Sequence, residues 1–177
     1  DEKYKKMIAG KVNLNLTELR PADVVDQCIV EEKQENIFAL RLKGMRPDRW
    51  TTLVERLEQE DYGLDDNEIA ELLFLNVKND TAIISAIKNN LVPVIRGLHN
   101  RSSKMIGEIK HHLKKGHIVV IDISLLSTGA SNKICGIILN EIFNENQMTF
   151  SSGEEGLMIK TIVTIEEAQT VLSPKMK

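Results

Sequence analysis

The segment Ile162-Val163-Thr164-Ile165-Glu166-Glu167-Ala168-Gln169 sets two carboxylates directly after a β-branched apolar run. In open α/β sheets, ligands bind outside the carboxyl ends of the strands, so an acidic pair at that point is placed to do chemistry. The first acid, Glu166, can hold a hydrated Mg²⁺, an ion that keeps several waters and needs only one or two carboxylates beside phosphate oxygens. The second, Glu167, can orient or deprotonate an attacking water. Two acids also suit the first turn of a helix, where the dipole favours each by about 0.3–1 kcal/mol. The apolar run before the pair and Ala168-Gln169 after it favour the Walker-B-like arrangement.

A second set of residues is basic. Between positions 96 and 118 stand Arg96, Arg101, Lys104, Lys110, Lys114 and Lys115 against Glu108 alone, although the whole chain carries a net charge of −3. Six cations of this kind suit a phosphate or DNA-backbone surface. Six such contacts would weaken affinity about 10³-fold or more between roughly 50 and 200 mM salt. The competing interpretation is a solvated helix face, with Lys114 and Lys115 favouring a helix C-terminus. His99, His111, His112 and His117 lie in the same stretch. They do not read as zinc ligands, because His111 and His112 are adjacent and diverge around a helix, and no cysteine is near. Trp50 reads as core rather than as a base-stacking platform, since aromatic residues make up only 4% of the chain and none accompanies it.

The elements that must position these groups follow from the hydrophobic pattern. Helices are expected at about 21–29, 32–43 (burying Ile37, Leu40 and Phe38), 47–60 (Trp50, Leu53, Val54, Leu57), from Asp65 or Asp66 (Ile69, Leu72, Leu73), and from Asp80 or Thr81 (Ile83, Ile84, Ile87). Pro93 is expected to end or kink the last of these. A further amphipathic helix runs from Ser102 or Ser103 to Lys115, stopped by Gly116. The pattern then changes to strand, helix, strand: His117–Ser124 and Leu157–Ile165 read as strands buried on both faces around a helix at about 132–144. The expected fold is therefore α/β, a helical module over 1–115 followed over 116–177 by part of a parallel-sheet nucleotide-binding core.

The chain has 177 residues, 42% hydrophobic and 28% charged. That composition excludes disordered, collagenous and disulfide-rich classes. No apolar run approaches a bilayer span, so a cytoplasmic protein without membrane contact is expected. Cys28 and Cys135 are spaced as reduced, inert core thiols. The sequence holds no G-x-x-x-x-G-K-[ST] loop. The nearest imitation, Gly153 and Gly156 with Lys160-Thr161, fails because Ile159 stands where glycine is required.

The order PVIRGLHNRSSKMIGEIKHHLKKGHIVVIDISLLS, an apolar helix, then IVTIEEAQ resembles the middle of the HerA-like branch of the HerA/FtsK ATPases, hexameric motors acting on double-stranded DNA. VNLNLTELRPADVVDQC with EEKQENIFALRLKG is similar to the helical insertion of such proteins. The resemblance spans most of residues 11–172 and implies a P-loop NTPase core in which Glu166 holds magnesium and Glu167 activates water. By the same resemblance Asp122, Ser124 and Gln169 line the nucleotide cleft. It further implies ATP and Mg²⁺ as ligands of the complete protein, duplex DNA as partner, a hexamer, and a possible nuclease partner. The family's phosphate loop, sensor strand and arginine finger do not occur in this sequence. A fragment of such an ATPase that neither hydrolyses ATP nor binds these ligands tightly by itself is expected; the alternative is a non-catalytic helical module binding nucleic acid or protein.

Overall fold

Proline at a first helical turn costs nothing, because its missing N–H would have no partner there. Two helices use this: α1 (Pro21–Cys28) and, after the short α2 (Ile37–Lys43), α3 (Pro47–Glu60). In α3, Trp50, Leu53, Val54 and Leu57 fall three and four apart and are all buried, as the periodicity requires. The computed structural model describes residues 12–124 and 126–166, without the side chain of residue 155. Glu167 and Gln169 lie outside the described residues.

The chain divides into two compact units, one over 15–102 and one joining the residues through 14 to 103 and beyond. The first holds α1–α3, α4 (Asp66–Leu73) and α5 (Thr81–Leu98). Asp65 caps α4, its Oδ1 accepting the Asn67 N–H at 2.8 Å. Arg56 on α3 forks onto Glu68 on α4, with both nitrogen–oxygen distances 2.9 Å. Helix α5 runs through Pro93. The proline and Asn89, whose carbonyl it displaces, both face solvent, while Leu91, Val92, Val94, Ile95 and Leu98 stay buried on the opposite side. The apolar face thus holds the helix together where the proline removes one hydrogen bond. The 3₁₀ turn Leu16–Glu18 buries Leu16 in this unit. The Leu16 N–H donates to His99 Nδ1 at 3.0 Å, and Trp50 Nε1–H donates to the Leu16 carbonyl at 2.8 Å.

The 32–43 expectation needs correction. The segment is a 3₁₀ turn, Glu31–Lys33, followed by α2, which buries Phe38, Ala39 and Leu42 and leaves Ile37 and Leu40 exposed. Starting the helix at Ile37 lets the 38/39/42 stripe pack on α1.

The second unit holds α6 (Met105–Lys114) and α7 (Thr128–Ser151). Helix α6 ends in a Schellman motif: Gly116, at φ +74°, donates to the Leu113 carbonyl, and His117 donates to the His112 carbonyl. Helix α7 is longer than expected because Ser127 caps it early, its hydroxyl accepting the Ala130 N–H at 3.3 Å.

The α/β expectation is overturned. Among the described residues the fold is all helical, and residues 117–123 and 159–165 are irregular rather than strands. Residues 118–124 alternate exposed and half-buried one by one, the period of an extended chain, with Ile118 and Val120 on the open side. Their composition suits extension, but a parallel strand exists only by bonding to a neighbour's backbone, and among the described residues none is paired there. Both faces are consequently not buried. No described helix is long and apolar enough to cross a membrane.

Trp50→Phe leaves a smaller ring in a buried site and removes the shorter of the two hydrogen bonds that the Leu16 carbonyl accepts, keeping the one from the Leu19 N–H at 3.4 Å. It is expected to destabilise the chain by about 1–3 kcal/mol in urea unfolding followed by far-UV circular dichroism; an unchanged midpoint would show that neither the lost volume nor the indole hydrogen bond holds the turn.

Candidate functional site

Two irregular segments and two helices enclose a groove of about 690 Å³ in the second unit. Its floor is Ile109 and Leu113 from α6 with Ile138 and Ile142 from α7; residues 117–119, Ile121 and residues 160–165 supply its walls. Asn146 on α7 fixes the second wall. Its Oδ1 accepts the Ile159 N–H at 2.7 Å and its Nδ2 donates to the Ile159 carbonyl at 3.0 Å, so one amide side chain stands in for a neighbouring strand. Ile159 itself is buried.

Ile121 and Ile165 are the last groove-lining residues of their segments, and Asp122 and Glu166 follow them into solvent. Asp122 Oδ1 accepts both the Ser124 hydroxyl (2.7 Å) and the Ser124 N–H (3.0 Å). These bonds favour the ionised form and hold its carboxyl below the usual aspartate value. Asp122 and Ser124, two of the three residues expected to line a nucleotide cleft, thus satisfy one another in a local turn, without lining the groove. Glu166 is exposed at the turn that ends its segment.

Four of the six cations are engaged by acids. In the first unit Arg96 pairs with Asp61, and Arg101 with Glu55 at 2.6 Å. In the second, Lys110 bridges Glu141 (2.8 Å) and Glu145 (3.1 Å), and Lys114 pairs with Glu145. No described ion pair involves Lys104 or Lys115. The basic stretch is therefore divided between the two units, and much of its charge is cancelled within the fold.

The Lys110 network joins α6 to α7. Burial opposes the lysine's charge, but its bonds to Glu141 and Glu145 outweigh burial and raise its pKa. Burial likewise opposes ionisation of Glu145, and Lys114 and Lys110 outweigh it, so its pKa is lowered. Sequence reasoning missed these partners, yet the signal was there: Lys110 and Lys114 are four apart on one helix, and Glu141 and Glu145 four apart on the next. Cys135 is half-buried and lines the groove, and desolvation raises its thiol pKa, which leaves it a protonated, weak nucleophile.

No family model matches the chain, and comparison with curated proteins and with solved structures gives no match.

Two outcomes follow from this geometry. The stabilisation from Glu145 is present above the ordinary glutamate pKa and is lost as pH falls through its lowered value; that from Lys110 is present below the ordinary lysine pKa and is lost as pH rises through its raised value. Thermal melts across pH should show a plateau between these limits. Lys110→Met should lower stability by about 1–3 kcal/mol within the plateau and flatten its alkaline edge. An alkaline edge of the same steepness in that variant would assign the edge to other groups. Asn146→Ala should leave α7 intact while speeding amide hydrogen exchange at residues 159–165, whereas unchanged exchange there would show that the amide is not what holds the segment.

Proposed function

We propose that the chain is part of a HerA-like DNA-translocating ATPase to which it contributes the acidic pair Glu166-Glu167, and that it does not hydrolyse ATP alone. The observation that best supports this is the arrangement around the groove: two β-branched segments flank α7 in sequence, wall one apolar groove, and each passes from its last groove-lining isoleucine to an exposed acid, Asp122 or Glu166. An exposed carboxylate such as Glu166 is open to a hydrated cation. Glu167 would position or deprotonate the water. In the complete protein a bound Mg²⁺ would neutralise charge developing on the phosphoryl oxygens. Phosphate-loop amides and lysine, which normally supply most of the electrostatic stabilisation, have no counterpart in this sequence.

A second reading has its own support. Leu139, Phe143 and Phe150 are exposed on one side of α7, Ile118, Val120 and Ile162 are exposed on the irregular segments, and most of the basic stretch is ion-paired. That combination suits a non-catalytic helical module binding an apolar protein partner better than one binding nucleic acid.

ATP turnover with Mg²⁺ separates the readings. The chain alone should show no turnover above background, because losing an arginine finger by itself costs about 10³–10⁵ in rate. A clear rate abolished by Glu167→Gln would refute the fragment. A reading frame carrying a glycine-rich lysine loop upstream, in which Glu167→Gln stops hydrolysis while nucleotide still binds, supports the motor; a frame without that loop supports the module.

A further inference from the structure

The C-terminus of α6 brings two imidazoles together. In its Schellman motif the residue whose carbonyl accepts the final bond is His112, and the donor is His117. That pair of positions commonly carries an apolar contact. Here the two rings meet through a hydrogen bond instead, one Nδ1–H donating to the other Nδ1 at 3.0 Å with the planes tilted by 34°. The backbone fixes this approach: the bond from the His117 N–H to the His112 carbonyl is 3.1 Å, and Gly116 takes the left-handed φ that the turn needs. The histidines excluded as zinc ligands from the divergence of His111 and His112 thus include a convergent pair, five residues apart across a turn.

We infer that His112 and His117 form a two-imidazole chelate for a Cu²⁺- or Ni²⁺-type ion. Neutral imidazole nitrogens are ligands for such ions, at about 2.0–2.1 Å for a typical imidazole–metal bond; the ion takes the place of the proton between the two Nδ1 atoms, which that ring carries on Nε2 instead. Two nitrogens at that range subtend about 3 Å when the angle at the metal is near a right angle, as in the tetragonal shells of Cu²⁺ and Ni²⁺; a tetrahedral zinc shell needs a wider separation. Among the described residues no three histidine, cysteine or acidic side chains gather around one point. The site is therefore an open chelate completed by water, unlike the closed four-ligand set of structural zinc. Glu108, one turn before His112, has its Oε2 3.9 Å from His112 Nε2. At that distance the carboxylate does not hydrogen-bond the ring; it places a negative charge beside a ligating histidine. Both rings are solvent-accessible, and the nearby charge of Lys114 is paired to Glu145.

The test uses the untagged chain, titrated calorimetrically with Cu²⁺ and with Ni²⁺, and electron paramagnetic resonance of the Cu²⁺ form. One ion per chain is expected, bound more tightly for Cu²⁺ than for Ni²⁺, with hyperfine coupling to two ring nitrogens. His112→Gln and His117→Gln should each weaken binding by at least about tenfold and leave a single-nitrogen signal, while His111→Gln, which removes only an edge contact to the His112 ring (centroids 5.5 Å apart), should keep the two-nitrogen signal and lose less affinity than either. His117→Gln keeps the backbone donor and Gly116, so its helicity should be unchanged even if His112→Gln unfolds α6. Absence of saturable binding by the parent, unchanged affinity in His117→Gln, or an equal loss in His111→Gln would overturn the assignment.

Discussion

A backbone N–H or carbonyl taken out of water must find a partner, and in this chain side chains provide that partner at the points where the fold turns. Leu16 is fully buried, and its two peptide groups are met by His99, just past the end of α5, and Trp50 on α3. Ile159 is buried beside α7, and both its peptide groups are met by the single amide of Asn146. An unmet buried group costs about 1–3 kcal/mol, so each arrangement outweighs an ordinary surface contact. The same constraint explains what is missing. Residues 117–123 and 159–165 have strand-like composition, and among the described residues they are held by side chains and by the apolar floor instead of by a ladder.

Electrostatics works in the same local way. A run of cations that reads from the sequence as a phosphate-binding surface is largely answered by acids within the fold. Lys110 is the clearest case: it is mostly covered, faces two glutamates, and joins α6 to α7. Its charge belongs to helix packing before it belongs to any ligand. Asp122 shows the reverse economy at the surface, where two bonds from Ser124 keep a carboxylate ionised within its own turn.

Most helices were legible because their apolar residues recur at three and four and their boundaries carry strong signals: Pro47 before Trp50, Asp65 before Ile69, Gly116 after Leu113. Where propensity and packing compete, packing decided. Ile37 and Leu40 look like core residues, yet the helix starts late and turns Phe38, Ala39 and Leu42 inward. Pro93 is a breaker by local rules, and α5 continues through it because buried side chains on both sides of the proline hold one face. The candidate site was legible only in part: the acid after each β-branched run could be read, whereas the Lys110 network, the Asn146 anchor and the meeting of His112 with His117 depend on contacts across turns.

The amino-acid sequence by itself determined the helical periodicity, the caps, the absence of a phosphate loop and the position of the acidic pair after an apolar run, since each is a property of neighbouring residues. The tertiary structure decided that the β-branched segments form no sheet among the described residues, that most of the basic stretch is neutralised, and that two histidines converge. Strand pairing, ion pairing and chelation each need a second group brought close in space, and residue spacing alone does not say which group that is.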